Sequence, residues 1–510
     1  MLIHKLFSKK LYVLYSFTLI LVTGCYEEVE IHSLEDDPYL SFNNIYAGID
    51  MEKGWIILPV KNFTDDYFPV IHTNLLDLYI ESVEYSEGNC FNLSGVSIQD
   101  SLCISFRTES GSNFNGYLYL TSLPVIQIYY RQEIPDEPKI HCDFVLSDNS
   151  GEEGNSLIST AGIELRGRSA MNRPKKSYGI ELWNDDSGND TRNECLLGMR
   201  NDDDWILDAM YIDKARMRNK ISMEIWRDIC TSSGNDKIHG KPYTESRFIE
   251  LFVNLEYKGI YCLTERFDQK QLDLRQFDGS AHGLLYKVES WSNTIKFVSL
   301  ADTSESEFWD GWEQKYPDPE ELIIWRPLYD FTSFVINSGD AEFEQQISNY
   351  LDIDNLIDYF LFINLCTAFD NMGMNMIYAR QNREAQFVIY PWDIDASWGR
   401  NWDSTFLFSE YWLSNKCYSR LFNGNVEGSV DRMKLRWNEL RSELFTHANL
   451  MERFTEQSIT LIESGAYRRE KSCWPEMNLN FSQEIAYISG WLDQRIIYLD
   501  NKIQDAYTDN

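Results

Sequence analysis

The densest set of residues able to do polar chemistry lies in two short runs, Phe369-Asp370-Asn371-Met372-Gly373-Met374-Asn375 and Pro391-Trp392-Asp393-Ile394-Asp395. Hard oxygen ligands of this kind suit Mg²⁺, which takes one or two carboxylates together with phosphate oxygens and water. Phosphoryl transfer uses such a metal to neutralise charge on the phosphate, and a carboxylate to orient or deprotonate the nucleophile. A purely structural role competes with this reading. An Asp following a helix is a common turn residue, and Asp393 and Asp395, two apart on an extended segment, can both be solvent-facing acids.

The spacing adds information. Asn375 follows Asp370 by the interval that separates Asp from Asn in a protein-kinase catalytic loop. In that arrangement, too, a short hairpin leads on to a metal-binding Asp, the place that Asp393 occupies here. A second constellation comes earlier: Gly162-Ile163-Glu164-Leu165-Arg166-Gly167-Arg168-Ser169, then Pro174-Lys175-Lys176-Ser177-Tyr178. Backbone amides near Gly167 and the cations Arg166, Arg168 and Lys176 can hold phosphate oxygens. A hairpin with a solvated basic loop is the plainer alternative. With 80 Asp+Glu against 46 Lys+Arg in the whole chain, the run of cations is a local inversion of sign that favours an anionic ligand.

These residues need elements to position them. Short runs of alternating apolar and polar residues between Pro38 and Leu120, split by Gly, Asn, Asp and Ser, predict a small antiparallel β-sandwich. Strands and turns continue from Leu123 to about Trp183. Met210 to Cys230 reads as a helix with Ile221, Ile225 and Ile229 on one face. Phe248–Val253 and Gly259–Leu263 predict a hairpin, and Gly283–Val288 a further strand. From about Thr303 the pattern is mainly helical. Leu356, Tyr359, Phe360 and Ile363 form one helical stripe, Met376–Ala379 and Phe387–Tyr390 predict a hairpin, and amphipathic helices fill 431–503. A strand-rich half followed by a helical half fits a two-lobed α+β enzyme.

The N-terminus has a basic start (Lys5, Lys9, Lys10), an apolar run from Leu11 to Thr23, and Val22-Thr23-Gly24-Cys25, which resembles a lipobox. It predicts a signal peptide over 1–25, lipidation of Cys25, an acidic tether over 26–37, and export to a lipid-anchored position on a bacterial membrane, periplasmic or at the cell surface. The formal net charge of −34 argues against nucleic acid as a partner. None of the remaining nine cysteines forms a CxxC or zinc-type spacing, and buried thiols are the default, although Cys90 and Cys103 could bridge neighbouring strands.

In order along the chain, the two constellations resemble the CotH kinase family (spore coat protein H-like). The resemblance also takes in Cys195–Met199, Asp204–Leu207, Asp213 with Met217-Arg218-Asn219, Phe248–Leu251, Gly259–Tyr261, Thr264-Glu265-Arg266, Leu285-Tyr286-Lys287 and Ile357–Phe360. It implies an atypical protein-kinase-like, two-lobed domain over 123–505, preceded by the all-β module at 38–120. It implies an enzyme that transfers the phosphoryl group of ATP to protein hydroxyls with Mg²⁺, on an acceptor the resemblance does not identify. Asp370 would then be the catalytic carboxylate, Asp393 the metal ligand, and Asn375 and Asp395 its helpers. Lys176 would contact phosphate, with Lys287 as the second candidate. Glu265 would lie near the nucleotide, and Glu224 would pair with the lysine. The apolar Asn371–Met374 stretch departs from the usual catalytic loop, which keeps two alternatives open. One is a non-catalytic, pseudokinase-like surface lipoprotein that binds protein or glycan. The other is a metal-dependent hydrolase using the same carboxylates.

Overall fold

Apolar residues recurring at every second position make Ser101–Arg107 a half-buried strand, with Ile104 and Phe106 inside and Ser101, Cys103 and Arg107 outside. The same logic builds the rest of segment 40–121 in the computed structural model, which describes residues 37–60, 67–148, 155–168, 170–232, 240–280 and 283–505. The expected signal peptide, Cys25, nearly all of the tether, and Ser169 fall outside the described residues. Segment 40–121 forms a three-stranded and a six-stranded sheet around a core that includes Leu40, Phe42, Ile56, Leu58, Leu78, Ile80, Phe106 and Leu118. The pairing is not wholly antiparallel as expected. Trp55–Pro59 runs parallel to Asn113–Thr121, because more than a dozen residues connect them and let the chain return in the same direction.

A seven-stranded closed barrel follows. Its strands are β1 (Val125–Tyr129), β2 (Ile140–Asp148), β3 (Asn155–Arg166), β4 (Ser177–Trp183), β5 (Asp204–Asp208), β6 (Ser246–Val253) and β7 (Glu256–Thr264). The order is β1-β2-β3-β4-β5-β7-β6, and a parallel pairing of β1 with β6 closes the ring. Closure leaves no sheet edge. Ile126, Phe144, Ile163, Ile180, Trp205, Leu251 and Leu263 belong to its buried core.

Between β5 and β6 lies helix α1 (Arg218–Ser232), shorter at its start than the apolar periodicity predicts. Met210 (φ 49°) and Arg216 (φ 58°) are left-handed, which breaks any helix through 210–217. Asp213 instead accepts hydrogen bonds from the N–H groups of Ala215, Met217 and Arg218, at 2.8, 2.7 and 2.7 Å respectively. It thereby caps the helix. Ile221, Ile225 and Ile229 are buried on the face the spacing predicts.

The second half is built on a five-stranded sheet containing β8 (Leu284–Val288), β9 (Trp312–Tyr316), β10 (Met376–Arg380) and β11 (Phe387–Pro391). Helix α2 (Ile353–Cys366) lies against it; the Asn355 amide exchanges hydrogen bonds with the backbone of Ile389 in β11. Several C-terminal helices complete this half, among them α3 (Ala466–Cys473) and α4 (Phe481–Asp505). The protein is thus mixed α+β, with several sheets and C-terminal helices. Among the described residues, no helix is long and apolar enough to cross a membrane.

Buried ion pairs join distant parts of the chain. Glu470 on α3 accepts from Lys175 Nζ at 2.8 Å, Arg216 Nε at 2.7 Å and the Ile260 N–H at 2.8 Å, and all three charged side chains are 0% exposed. Glu250 in β6 takes both Arg469 and the Tyr257 hydroxyl. The N-terminal sheets are tied to the barrel by buried Asp50, which accepts from the Tyr257 N–H at 2.9 Å, and Pro38–Asn510 form one compact unit. Cys90 and Cys103 are both exposed and not disulfide-bonded, so the bridge that sequence allowed is not made; none of the other described cysteines is in a disulfide.

Candidate active site

The second half of the site is shaped by an amide clamp. Helix α2 ends at Thr367, left-handed at φ 53°, and a single 3₁₀ turn, Asp370–Met372, follows. Asn371 is buried and donates to two carbonyls, Asn375 O at 2.7 Å and Trp392 O at 2.8 Å. The Tyr359 hydroxyl holds the Asn371 carbonyl in turn. Trp392 N–H bonds to Asn375 O at 3.0 Å, and the Asn375 amide reaches Asp393 O at 3.3 Å. The loop after α2 and the end of β11 are therefore fastened side by side, which brings Asp370, Asn375, Asp393 and Asp395 together as the spacing suggests. Asn375 (φ 53°) and Asp393 (φ 52°) both occupy the left-handed region. That is a strained conformation for residues with side chains, and strain of this kind concentrates at functional sites.

The barrel adds a fourth carboxylate that sequence reasoning did not single out. Asp208 ends β5. The Asn219 amide, in the first turn of α1, donates to Asp208 at 3.3 Å and accepts from the Ile394 N–H at 3.0 Å. One side chain thus ties the barrel to the Asp393–Asp395 segment. The neighbouring Arg218 is fully buried and bonds Asp213, Glu484 and the Ser397 carbonyl, fixing the far end of that segment. Asp213, Arg218 and Asn219 fall within a stretch that carries the family resemblance; Asp208 lies one residue beyond another such stretch.

The electrostatics match the crowding. Burial pushes the Asp393 carboxyl up to about 6; Asp208 and Asp370 add to the rise, while Lys287 and Arg166 oppose it. Asp395 is raised well above the usual carboxylate range, by burial first and then by Asp393, Asp208, Asp213 and Asp370. Burial also raises Asp208 and Asp370. Excess negative charge in a confined place is a feature of sites that receive a cation or an activated proton donor. Among the described residues, no three His, Cys, Asp or Glu side chains converge into a ready metal cage. The donor set still fits Mg²⁺, which needs only one or two protein carboxylates when phosphate oxygens and water complete its shell.

The expected phosphate-binding cations divide into two groups. Arg166 lies over the Trp392 ring at 5.9 Å, beside the acidic segment, and burial pushes its guanidinium down to about 10. Lys287 faces Asp393 electrostatically and is ion-paired with Glu289. Arg168 donates to the Glu289 carbonyl at 3.1 Å, and Gly167 supplies the left-handed turn (φ 88°) that lets the loop between β3 and β4 cross toward β8. Lys176, by contrast, donates to Met171 O within its own loop. Glu265 is fully buried and accepts from Lys241 Nζ and the N–H groups of Arg200 and Glu245. Glu224 pairs with Lys220 on its own helix at 2.6 Å, and not with a site lysine.

A family model described as "CotH kinase protein" matches residues 163–499, a span that contains every element of this site. The chain is also 25% identical over 240 residues to "Inner spore coat protein H" of Bacillus subtilis (strain 168), covering 47% of this chain and 59% of that protein. It therefore spans less than two thirds of the length of this curated relative.

Proposed function

Because the chain belongs to the CotH kinase family, we propose that it is an atypical, two-lobed protein kinase that moves the γ-phosphoryl group of ATP to protein hydroxyls. The barrel serves as the nucleotide-side lobe and the helical half as the acceptor-side lobe. What carries this reading is the clamp of Asn371, Asn375 and Asn219, which fastens Asp370, Asp393 and Asp208 close enough to act on one another's charge.

In this reading Asp370 orients the acceptor hydroxyl and takes its proton as the new O–P bond forms and the bond from the γ-phosphorus to the bridging oxygen breaks, releasing ADP. Its raised proton affinity suits a base that must hold that proton. Asp393, with Asn375 and Asp395, would hold Mg²⁺, which supplies charge neutralisation on the phosphate oxygens. Arg166 and Lys287, the cations nearest Asp393, would meet the polyphosphate.

The test is thermal melting of the full chain with ATP, with Mg²⁺ and with both, alongside a phosphate-transfer assay on a mixed protein acceptor. A ligand at a hundredfold excess over its Kd stabilises the native state by about 2.7 kcal/mol. Wild type is expected to need ATP and Mg²⁺ together. Asp370→Ala keeps that shift and loses transfer by about 10²–10⁴-fold, while Asp393→Ala loses both. Unchanged transfer in both variants would overturn the assignment.

A further inference from the structure

The outer face of the six-stranded N-terminal sheet carries a trough of about 640 Å³, remote in sequence from the kinase-like site. The strand register shows how it is built. Tyr79 stands opposite Ser105, Ser105 stands opposite Asn115, and Tyr117, next on the same face as Asn115, stands opposite Cys103. The floor is thus hydroxyl, amide and thiol, with Ser82 at one end, and a tyrosine rises on either side. Tyr79 is 38% exposed and Tyr117 46% exposed, although both are large rings on a sheet with a full apolar core behind it. Two strand spacings across and two residues along put the ring-bearing positions about 12 Å apart.

Charge narrows the choice of ligand. The protein has 80 acidic residues, yet none of the residues lining this trough is Asp, Glu, Lys or Arg. The neighbouring cation on that face, Arg107, is already ion-paired with Asp77 at 3.0 Å, and the Glu81 carboxylate accepts from the Cys103 N–H, so an anionic polymer finds no free cation beside the trough. A lipid or an apolar helix would leave the Ser and Asn groups of the floor unpaired, which costs binding energy. A neutral carbohydrate chain satisfies both surfaces, since its C–H faces stack on aromatic rings and its hydroxyls pair with Ser and Asn. The aromatic row also continues inward. Tyr117 lies 6.2 Å from Tyr119, which meets Trp55 edge-on at 6.3 Å. The outermost ring is braced from behind by these contacts.

We propose that this trough is a binding site for a neutral glycan, held between Tyr79 and Tyr117 over the Ser105–Asn115 floor. It lies outside the phosphotransfer reading and does not depend on it.

The test is isothermal titration of the full chain with cellohexaose, xylohexaose, mannohexaose and laminarihexaose, with polygalacturonate as the anionic control. At least one neutral hexasaccharide is expected to bind, and polygalacturonate is not. Tyr79→Ala and Tyr117→Ala each weaken that binding at least tenfold, Tyr117→Phe by less than threefold, and none changes the melting temperature or the ATP-dependent shift. Failure of all four neutral sugars to bind, or retention of binding in the Tyr79→Ala/Tyr117→Ala double variant, would overturn the proposal.

Discussion

Asp393→Asn separates what the site's negative charge costs the fold from what it contributes to chemistry. Burial, reinforced by Asp208 and Asp370, raises the Asp393 carboxyl from 3.8 to about 6. Unscreened, that rise corresponds to at most ~3 kcal/mol of native-state penalty at neutral pH. The residue is nevertheless open to water. A carboxylate lodged among many protein atoms but wetted on one side is screened, and the wetted side governs the energetics, so the expected penalty is about 1 kcal/mol. The sign follows from proton binding. The native state holds this proton more tightly than the unfolded chain does, so stability from this group is gained as pH falls through about 6 and is absent at pH 7.5. Ligand-free Asp393→Asn should therefore melt higher than wild type at pH 7.5, by about 1 °C for a chain of this size. The difference should shrink toward pH 4.5, while ATP- and Mg²⁺-dependent transfer is lost at every pH. Calorimetric melts across pH 4.5–8 read the first effect, and radiolabelled phosphate transfer reads the second. A variant that melts at or below wild type at pH 7.5, with the same pH dependence, would refute the electrostatic reasoning.

Glu470→Ala leaves Lys175 and Arg216 buried without their carboxylate, and removal of one partner from such a cluster costs about 3–5 kcal/mol; urea unfolding should show it, and a loss below about 1 kcal/mol would be inconsistent with the cluster described. Gly373→Ala places a Cβ within 2.0 Å of the Trp291 ring. Overpacking of this kind costs about 1–3 kcal/mol and should move Trp291 away from the Asp370–Asn375 loop, with a shifted tryptophan emission and, on the proposed function, reduced transfer; an unaltered spectrum would count against the contact.

Local pattern made much of this molecule legible. The strands around Asn254 and the Met376–Pro391 hairpin lie close to where apolar alternation puts them, and the stripe Leu356–Ile363 is buried in α2. In each case the signal sits within a dozen residues, and burial follows periodicity. The start of α1 was not legible that way. Side-chain bonds from Asp213 override the helical preference of residues 210–217, and periodicity carries no trace of such a cap. The acidic runs at Asp370 and Asp393 stood out because each is compact in sequence. Asp208 did not, and Asn219 entered only through the family resemblance, without a role, since that role comes from its bonds to Asp208 and to Ile394, the latter spanning 175 positions. The two lysines of Pro174-Lys175-Lys176 look alike in sequence. Only the partner at Glu470, 295 positions later, shows that the first belongs to the fold's interior.

That separation also orders events during synthesis. The barrel strands have all emerged by Thr264, and the hydrophobic driving force to close them is then present. Glu470, the carboxylate that Lys175 and Arg216 share in the finished fold, is still unmade at that point. These ion pairs can therefore form only after α3 has been made, and contacts of such high sequence separation form slowly. The cluster is thus a late fastening: it commits the two halves to one another only when nearly the last helix has been delivered.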